Sequence, residues 1–388
     1  MEYRKFGKLD WKVSALGFGC MRLPTLDGDS AKIDEPEAIN MVRYAIDNGV
    51  NYIDTAYPYH SKMSEPFVGR MLRDGYRDKV KLATKLPCWE VKVAEDFDRL
   101  LNEQLEKLQT ERIDFYLLHA LNKESWPTMR DLGAIKWAEG AIADGRIGHI
   151  GFSFHDKHEV FVEIVDAYDG WTFCQIQYNY IDIKNQAGTK GLQHAASKGL
   201  AVVVMEPILG GRLVNPPQPI IDLWDKASNK RTAADWALQW VWNQPEVSVV
   251  LSGMSTMQHV EENVVSAGVS GIGTLTEDEL AIVGQVREKY TELSPIPCTK
   301  CDYCMPCPNG VNIPRCFENY NEGVMYDKAD YARTAYTQWF PEPERADKCI
   351  QCQECEPKCP QSIPISEWMP IVHAVLGEGQ SYGASPAP

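Results

Sequence analysis

Asn51-Tyr52-Ile53-Asp54-Thr55-Ala56-Tyr57-Pro58-Tyr59 is an apolar strand that ends by presenting an Asp and, five residues later, a Tyr. Two further runs end in the same manner. Val80-Lys81-Leu82-Ala83-Thr84-Lys85 closes on a lysine, and Ile113-Asp114-Phe115-Tyr116-Leu117-Leu118-His119 on a histidine. Three successive strands thus carry Asp54, Tyr59, Lys85 and His119 to one rim. Singly, each has an ordinary explanation: Asp54 as a turn residue, Lys85 as a side chain snorkelling to solvent, Tyr59 as packing, His119 as a satisfied core imidazole. Together their roles interlock. A phenol with a pKa of about 10 is a poor acid at neutral pH unless a nearby cation stabilises its phenolate, which Lys85 supplies. A partly buried ammonium needs a counter-charge, because desolvating an unpaired ion costs several kcal/mol; Asp54 supplies that. His119 then orients a carbonyl oxygen, leaving Tyr59 as general acid while a hydride arrives at carbon.

Outward from this rim, short apolar strands alternate with amphipathic helices from residue 13 to about 293, which predicts a parallel sheet covered by helices. Eight strands are expected, near 15–18, 51–55, 80–84, 113–118, 147–153, 174–178, 201–205 and 248–251. Eight units is the closed-barrel number. A doubly wound sheet would place a Gly-rich phosphate loop after its first strand, and the turn here, Gly17-Phe18-Gly19-Cys20-Met21-Arg22, lacks that fingerprint. The intervening helices carry the expected period. Over 93–108, Phe97, Leu100, Leu101, Leu105 and Leu108 are expected on one buried face. The predicted class is α/β: a (β/α)8 TIM barrel followed by a smaller cysteine-rich module.

Asp54-Thr55-Ala56-x-x-Tyr59, Thr84-Lys85-Leu86 and Leu117-Leu118-His119 resemble the catalytic tetrad segments of the aldo-keto reductases. The opening Tyr3-Arg4-Lys5-Phe6-Gly7, through Leu16-Gly17-Phe18-Gly19-Cys20-Met21, resembles that family's N-terminal hairpin and first strand. The resemblance covers about 290 residues in family order. It implies carbonyl reduction at Asp54, Tyr59, Lys85 and His119, with NADPH or NADH bound across the C-terminal ends of the strands. Gly19, Cys20, Met21 and Asp54 would contact that cofactor at the early strands. Ser153 and Gln175 would hold the nicotinamide carboxamide. After the seventh strand, Met205-Glu206-Pro207-Ile208-Leu209-Gly210-Gly211-Arg212 offers Met205, Pro207 and two glycines that allow close backbone approach, with Arg212 placed to meet a pyrophosphate. After the eighth, Gly253, Met254, Ser255, His259, Glu262 and Asn263 match the adenosine-binding segment.

Two departures from the family pattern stand out. Met205 occupies the position where most members place an aromatic ring under the nicotinamide, and a thioether packs without stacking as a ring does. The adenosine segment 251–263 contains no Lys or Arg, so it carries no fixed cation for a 2'-phosphate. NADH is therefore at least as well matched as NADPH. Trp89, just beyond Lys85, is placed to line the substrate pocket. Residues 213–231 begin with Asn215-Pro216-Pro217-Gln218-Pro219, which breaks regular structure; the segment is either a lid or a connection.

The formal net charge of −15 argues against nucleic acid as a partner, since phosphate contacts need clustered Lys and Arg. Apolar runs such as Ala201-Val202-Val203-Val204-Met205 are strand-sized, far short of the roughly 20 residues that span a bilayer. The start of the chain shows no apolar stretch of signal-peptide kind. The expectation is a cytoplasmic protein with no membrane partner.

Of the 12 cysteines, four (Cys20, Cys88, Cys174 and Cys316) are scattered and eight fall in two tight runs. The first is Cys298-x2-Cys301-x2-Cys304-x2-Cys307-Pro308, and the second Cys349-x2-Cys352-x2-Cys355-x3-Cys359-Pro360. The second is the bacterial ferredoxin spacing for 4Fe-4S ligation, in which the fourth cysteine serves the other cluster of a two-cluster fold. Zinc is the alternative, since paired CxxC units also build tetrahedral sites. Crosswise ligation assigns Cys298, Cys301, Cys304 and Cys359 to one cluster and Cys349, Cys352, Cys355 and Cys307 to the other. The first run ends on a two-residue gap where ferredoxins have three, and Cys316 stands nearby as a substitute for Cys307. The run resembles the dicluster tail found on a subset of aldo-keto reductases. The division expected is a barrel over 1–293, a two-cluster ferredoxin-like module over 294–370 and a C-terminal tail over 371–388, in which Ser381-Tyr382-Gly383-Ala384-Ser385-Pro386 is expected to be disordered.

Hydride transfer moves two electrons together and needs no cluster, whereas 4Fe-4S centres pass electrons singly. Two readings follow. In one, the chain is an oxidoreductase acting on a small carbonyl substrate or its alcohol, with clusters that are structural or exchange electrons with a ferredoxin-like partner. In the other it is an electron-transfer or redox-sensing protein whose barrel only binds nucleotide.

Overall fold

The computed structural model describes residues 1–298, 300 and 302–386. A short antiparallel hairpin opens the chain, β1 (Tyr3–Lys5) and β2 (Lys12–Ser14). Eight parallel strands follow: β3 (Leu16–Gly19), β4 (Tyr52–Asp54), β5 (Lys81–Leu86), β6 (Ile113–Leu121), β7 (Ile147–Phe154), β8 (Phe173–Gln177), β9 (Ala201–Met205) and β10 (Val247–Ser252). They close into a barrel in chain order, with β10 pairing both β9 and β3. All eight expected strands are present.

The hairpin explains why the chemistry has only one end of the barrel to occupy. Phe6 is wholly buried, 4.6 Å from the Phe115 ring and 5.7 Å from that of Phe173. It packs with Val13, Tyr52, Ala83, Ala201 and Val249 near the strand beginnings. The N-terminal mouth is thus filled by aromatic packing, and the opposite mouth is left to polar groups, as in barrels generally.

Side chains alternate along each strand. On β5, Ala83 joins the interior cluster, so Lys85, two residues on, faces the same way. Thr84 faces outward, where its hydroxyl donates to Glu65 on the helix Ser64–Met71 at 2.7 Å. The helix Glu95–Leu108 buries Phe97, Leu100, Leu101 and Leu108 as expected, but the fifth buried position is Gln104, and Leu105 is only partly buried. Hydrophobic periodicity overlooks Gln104 because the residue is polar; it is buried for its hydrogen bonds.

The chain folds as two compact units, residues 1–210 with 234–276, and 211–233 with 277–388. This differs from a boundary at 293/294. The helix Glu277–Glu292 packs against the helix Gln218–Trp224, and both fold with the cysteine module. Segment 213–231, whose prolines suggested irregular chain, therefore contains a helix of the second unit.

In that unit the helices Ile313–Met325 and Ile365–Leu376 share a core that includes Ile296, Val311, Phe317, Tyr336 and Met369. A boundary at 370/371 falls inside the second of these helices. Segment 381–386, expected to be disordered, is packed against the helix Ile313–Met325: the Tyr382 ring lies 4.9 Å from that of Tyr320, whose hydroxyl donates to the Ala384 carbonyl at 3.4 Å. Among the described residues no helix is long and apolar enough to cross a membrane.

Candidate active site and cluster-binding cavities

Lys85 is fully buried, and its ammonium has three acceptors for its three protons: Asp54 Oδ1 at 2.7 Å, the Thr55 carbonyl at 2.8 Å and the Tyr59 hydroxyl at 3.5 Å. Asp54, 2% exposed, ends β4 and lies in register with Gly19 of β3 and Ala83 of β5. Burial alone would lower the Lys85 pKa; the facing Asp54 carboxylate and Tyr59 phenol hold it above the ordinary lysine value. His119, on β6, brings its ring to 6.3 Å from that of Tyr59, edge to face. Burial, with Lys85 nearby, drops its pKa well below the usual value, so the ring is neutral at physiological pH. The four residues expected together are together.

One electrostatic expectation is modified. Burial raises the Tyr59 pKa above its ordinary value, and Lys85 offsets this only in part. In the protein by itself the phenol therefore holds its proton firmly. That suits an acid which must be protonated when substrate arrives.

Beneath Lys85 lies a polar network that sequence reading missed. Gln104 Nε2 donates to Glu65 Oε1 at 2.5 Å and to the Lys85 carbonyl at 3.0 Å, while the Tyr116 hydroxyl donates to Gln104 Oε1 at 2.6 Å. Glu65 is fully buried, which raises its pKa against the pull of its hydrogen bonds to Thr84 and Gln104. The network fixes the Lys85 backbone from behind.

Around the tetrad, Trp89 is 45% exposed, with its ring 5.1 Å from His119. Ser153 pairs in register with Gln175, and its hydroxyl accepts from Ala120 N–H at 2.8 Å. That leaves the Ser153 proton free to donate. Gln175 Nε2 contacts Met205 Sδ at 3.6 Å, and its Oε1, like Asp54 Oδ2 and His119 Nδ1, is buried with no hydrogen-bond partner among the described residues. Buried polar atoms are ordinarily satisfied, so these three mark a place for a polar guest.

The glycine turns hold a surprise. A side chain on Gly253 would come within 3.2 Å of the Arg22 side chain, and one on Gly210 within 3.1 Å of its guanidinium. Arg22 therefore lies across both turns assigned to the cofactor, and Gly19 closely approaches Ser252 beside them. Arg212, expected to meet the pyrophosphate, is instead paired with Glu322, its guanidinium 5.5 Å and 5.2 Å from the Tyr326 and Tyr331 rings. It folds with the second unit. The signal for Arg22 was in the turn after the first strand, but only the closure of β10 against β3 reveals it.

Beyond β10, Thr256 caps the helix Met257–Gly268, and Asn263 Nδ2 donates to Ser252 Oγ at 2.9 Å. Ser255 N–H donates to His259 Nδ1 at 3.4 Å, and Glu262 accepts from Gln258 at 2.7 Å. Met254 is buried and Met21 exposed.

In the second unit the described residues of the two cysteine runs share a backbone feature. Lys300 and Asp302 in the first, and Gln351 and Gln353 in the second, have left-handed backbone, in each case two and four residues after the leading cysteine. Left-handed residues of this kind are found in the anion-binding backbone concavities common at Fe–S sites. Gln351 N–H points at Cys349 Sγ, 3.4 Å away. One cavity, of about 400 Å³ with open solvent included, is lined by Cys304, Cys307, Cys349, Cys352 and Cys355. A second, of about 320 Å³, is lined by Cys298, Cys304 and Cys359. Cys301 lies outside the described residues. Cys316 lines neither cavity; it is buried in the apolar core, with its thiol 3.7 Å from the Glu344 carbonyl. Among the described residues, no three His, Cys, Asp or Glu side chains converge to hold a single metal ion. The cysteines of the two runs instead gather around these two cavities.

Comparison with known proteins identifies both the barrel and the cysteine module. The aldo/keto reductase family profile matches residues 15–288, and that of a 4Fe-4S dicluster domain matches residues 297–363. The chain is 28% identical to an L-galactose dehydrogenase of Arabidopsis thaliana over 308 residues, covering 72% of this chain and 91% of that protein. Among solved structures, the holo form of an aldo-keto reductase of Bacillus halodurans superposes with a TM-score of 0.62 at 25% identity, over 74% of this chain and 96% of the other. An aldo-keto reductase of Klebsiella pneumoniae in complex with NADPH gives 0.61 at 23%, over 74% and 96%. The chain belongs to the aldo/keto reductase family of oxidoreductases, with a 4Fe-4S dicluster domain beyond its barrel.

Proposed function

We propose that this protein reduces an aldehyde or ketone to an alcohol, or runs the reverse reaction, with Tyr59 as general acid. The observation that carries the reading is the buried Lys85, saturated by Asp54, the Thr55 carbonyl and Tyr59. NADPH or NADH supplies the hydride when bound. Ser153 and Gln175 would hold its carboxamide, while Met205, Pro207, Gly210 and Gly253 would flank it, with Arg22 the cation for its phosphates. His119, neutral, donates to the substrate carbonyl oxygen and fixes its direction. Tyr59 gives its proton to that oxygen as carbon accepts the hydride, and the phenolate so formed is stabilised by Lys85. Asp54 keeps Lys85 charged without exposing it to water. Trp89 covers one side of the substrate. Arg22 serves the pyrophosphate of either nucleotide, so it does not decide between NADH and NADPH.

In the second unit, Cys298, Cys301, Cys304 and Cys359 would hold one 4Fe-4S cluster and Cys307, Cys349, Cys352 and Cys355 the other. Such clusters supply one-electron transfer. Cys352 is exposed and Ile350 is 68% exposed at the rim of the first cavity, which supports electron exchange with a ferredoxin-like protein. Carbonyl turnover does not require it.

The test is isotopic. Nicotinamide nucleotide deuterated at C4, incubated with a carbonyl the enzyme accepts, should deliver deuterium to the carbinol carbon of the product. Nucleotide oxidation without deuterated alcohol would overturn the reading and favour a nucleotide-driven electron-transfer protein.

A further inference from the structure

The chain is unusually strained immediately after Tyr59. His60, Ser61 and Lys62 have φ of 52°, 53° and 72°, three consecutive non-glycine residues in the left-handed region. Each costs about 1–2 kcal/mol there, so the turn persists only where its surroundings over-determine it. The His60 ring provides much of that restraint. It is 8% exposed, and Leu23 N–H donates to its Nε2 at 3.2 Å. An accepting Nε2 carries no proton, so the proton sits on Nδ1 and is donated to the Ser30 carbonyl at 2.9 Å. The imidazole is thereby fixed in one neutral tautomer, and burial lowers its pKa accordingly. Two further contacts join the same segments: Ser61 Oγ lies 3.1 Å from Ser30 Oγ, and the Ser64 hydroxyl donates to the Cys20 carbonyl at 3.0 Å.

We propose that His60 is a positioning residue: its two hydrogen bonds clamp the left-handed turn to loop 20–33 and thereby set the Tyr59 hydroxyl against Lys85. The same loop begins with Cys20, Met21 and Arg22, so one ring ties the acid to the segment that faces the cofactor. The inference rests on the proposed role of Tyr59. It differs from a packing role because the imidazole engages only backbone groups, at both nitrogens.

The test compares His60→Gly with His60→Asn in the full, cluster-loaded chain. Glycine accepts a positive φ without strain but removes both hydrogen bonds; asparagine tolerates the left-handed region and keeps one N–H for the Ser30 carbonyl. Because a displacement of about 1 Å can cost about a hundredfold in rate, kcat should fall at least about tenfold in His60→Gly. KM for carbonyl and nucleotide should stay nearly unchanged, and His60→Asn should recover part of the loss. A crystal structure of His60→Gly should show Tyr59 withdrawn from its 3.5 Å contact with Lys85. Wild-type kcat in His60→Gly, or an unmoved Tyr59, would overturn the proposal. If the wild type turns over no carbonyl at all, the proposed function fails, and the position of Tyr59 in that crystal structure still decides the role of His60.

Discussion

At the residue scale, the proposed tetrad is built from four groups with poor individual chemistry that correct one another. Lys85 is charged because Asp54 faces it, and His119 is neutral because it is buried beside that charge. Burial raises the Tyr59 pKa, and the reductive reaction needs the protonated phenol. The sign is therefore fixed: the group is competent below its pKa and lost as pH rises through it. In free enzyme, kcat/KM for reduction should stay flat through neutral pH and fall only on the alkaline side, above about pH 10. His119, titrating well below its ordinary value, adds no limb between about pH 6.5 and 9. A bell centred near neutrality in a pH–rate series would contradict this assignment. Asp54, Tyr59, Lys85 and His119 were legible in the sequence because each ends or follows a strand, and strand ends in a barrel converge. Arg22 and Arg212 were not told apart. Each stands in a glycine turn, but only three-dimensional closure shows that Arg22 crosses Gly210 and Gly253 while Arg212 is paired with Glu322.

At the element scale, the eight strands were legible from alternation, and the helix faces mostly so. Gln104 shows where the method stops. A period of 3.6 finds apolar stripes, and a buried amide that joins Glu65, Tyr116 and the Lys85 carbonyl leaves no mark in such a count. Replacing it is correspondingly costly. Gln104→Leu strands the Tyr116 hydroxyl, at about 1–3 kcal/mol, and leaves the buried Glu65 carboxyl with Thr84 alone. Thermal unfolding should show Gln104→Leu markedly less stable than Glu65→Gln, which keeps an oxygen for Thr84 and Gln104. Equal stability of the two variants would show that the network behind β5 is not what holds it.

At the scale of the whole molecule, the family profiles end at 288 and resume at 297, either side of the expected boundary, while the compact units divide the chain elsewhere. Segment 211–233 and the helix Glu277–Glu292 continue the barrel's alternation in sequence, yet their apolar faces pack in the second unit. The cysteine spacing was better informed. It left Cys307 and Cys316 competing for one position, and the folded loops separate them: Cys307 lines a cavity with Cys349, Cys352 and Cys355, and Cys316 lines neither cavity. Iron analysis of anaerobically purified variants should find about eight irons in Cys316→Ala, the content of two 4Fe-4S clusters, and about half that in Cys307→Ala. The opposite pattern would transfer the ligand role to Cys316.

The central claim is that the barrel performs two-electron carbonyl chemistry through Tyr59, independently of the clusters. The most direct measurement compares carbonyl-dependent NAD(P)H oxidation by anaerobically purified wild type and Tyr59→Phe, with iron content determined in both. Loss of a positioned general acid should slow turnover by about 10²- to 10⁴-fold, with iron and cluster reduction unchanged. Turnover undiminished in Tyr59→Phe, or cluster reduction by NAD(P)H with no alcohol formed by the wild type, would contradict the account.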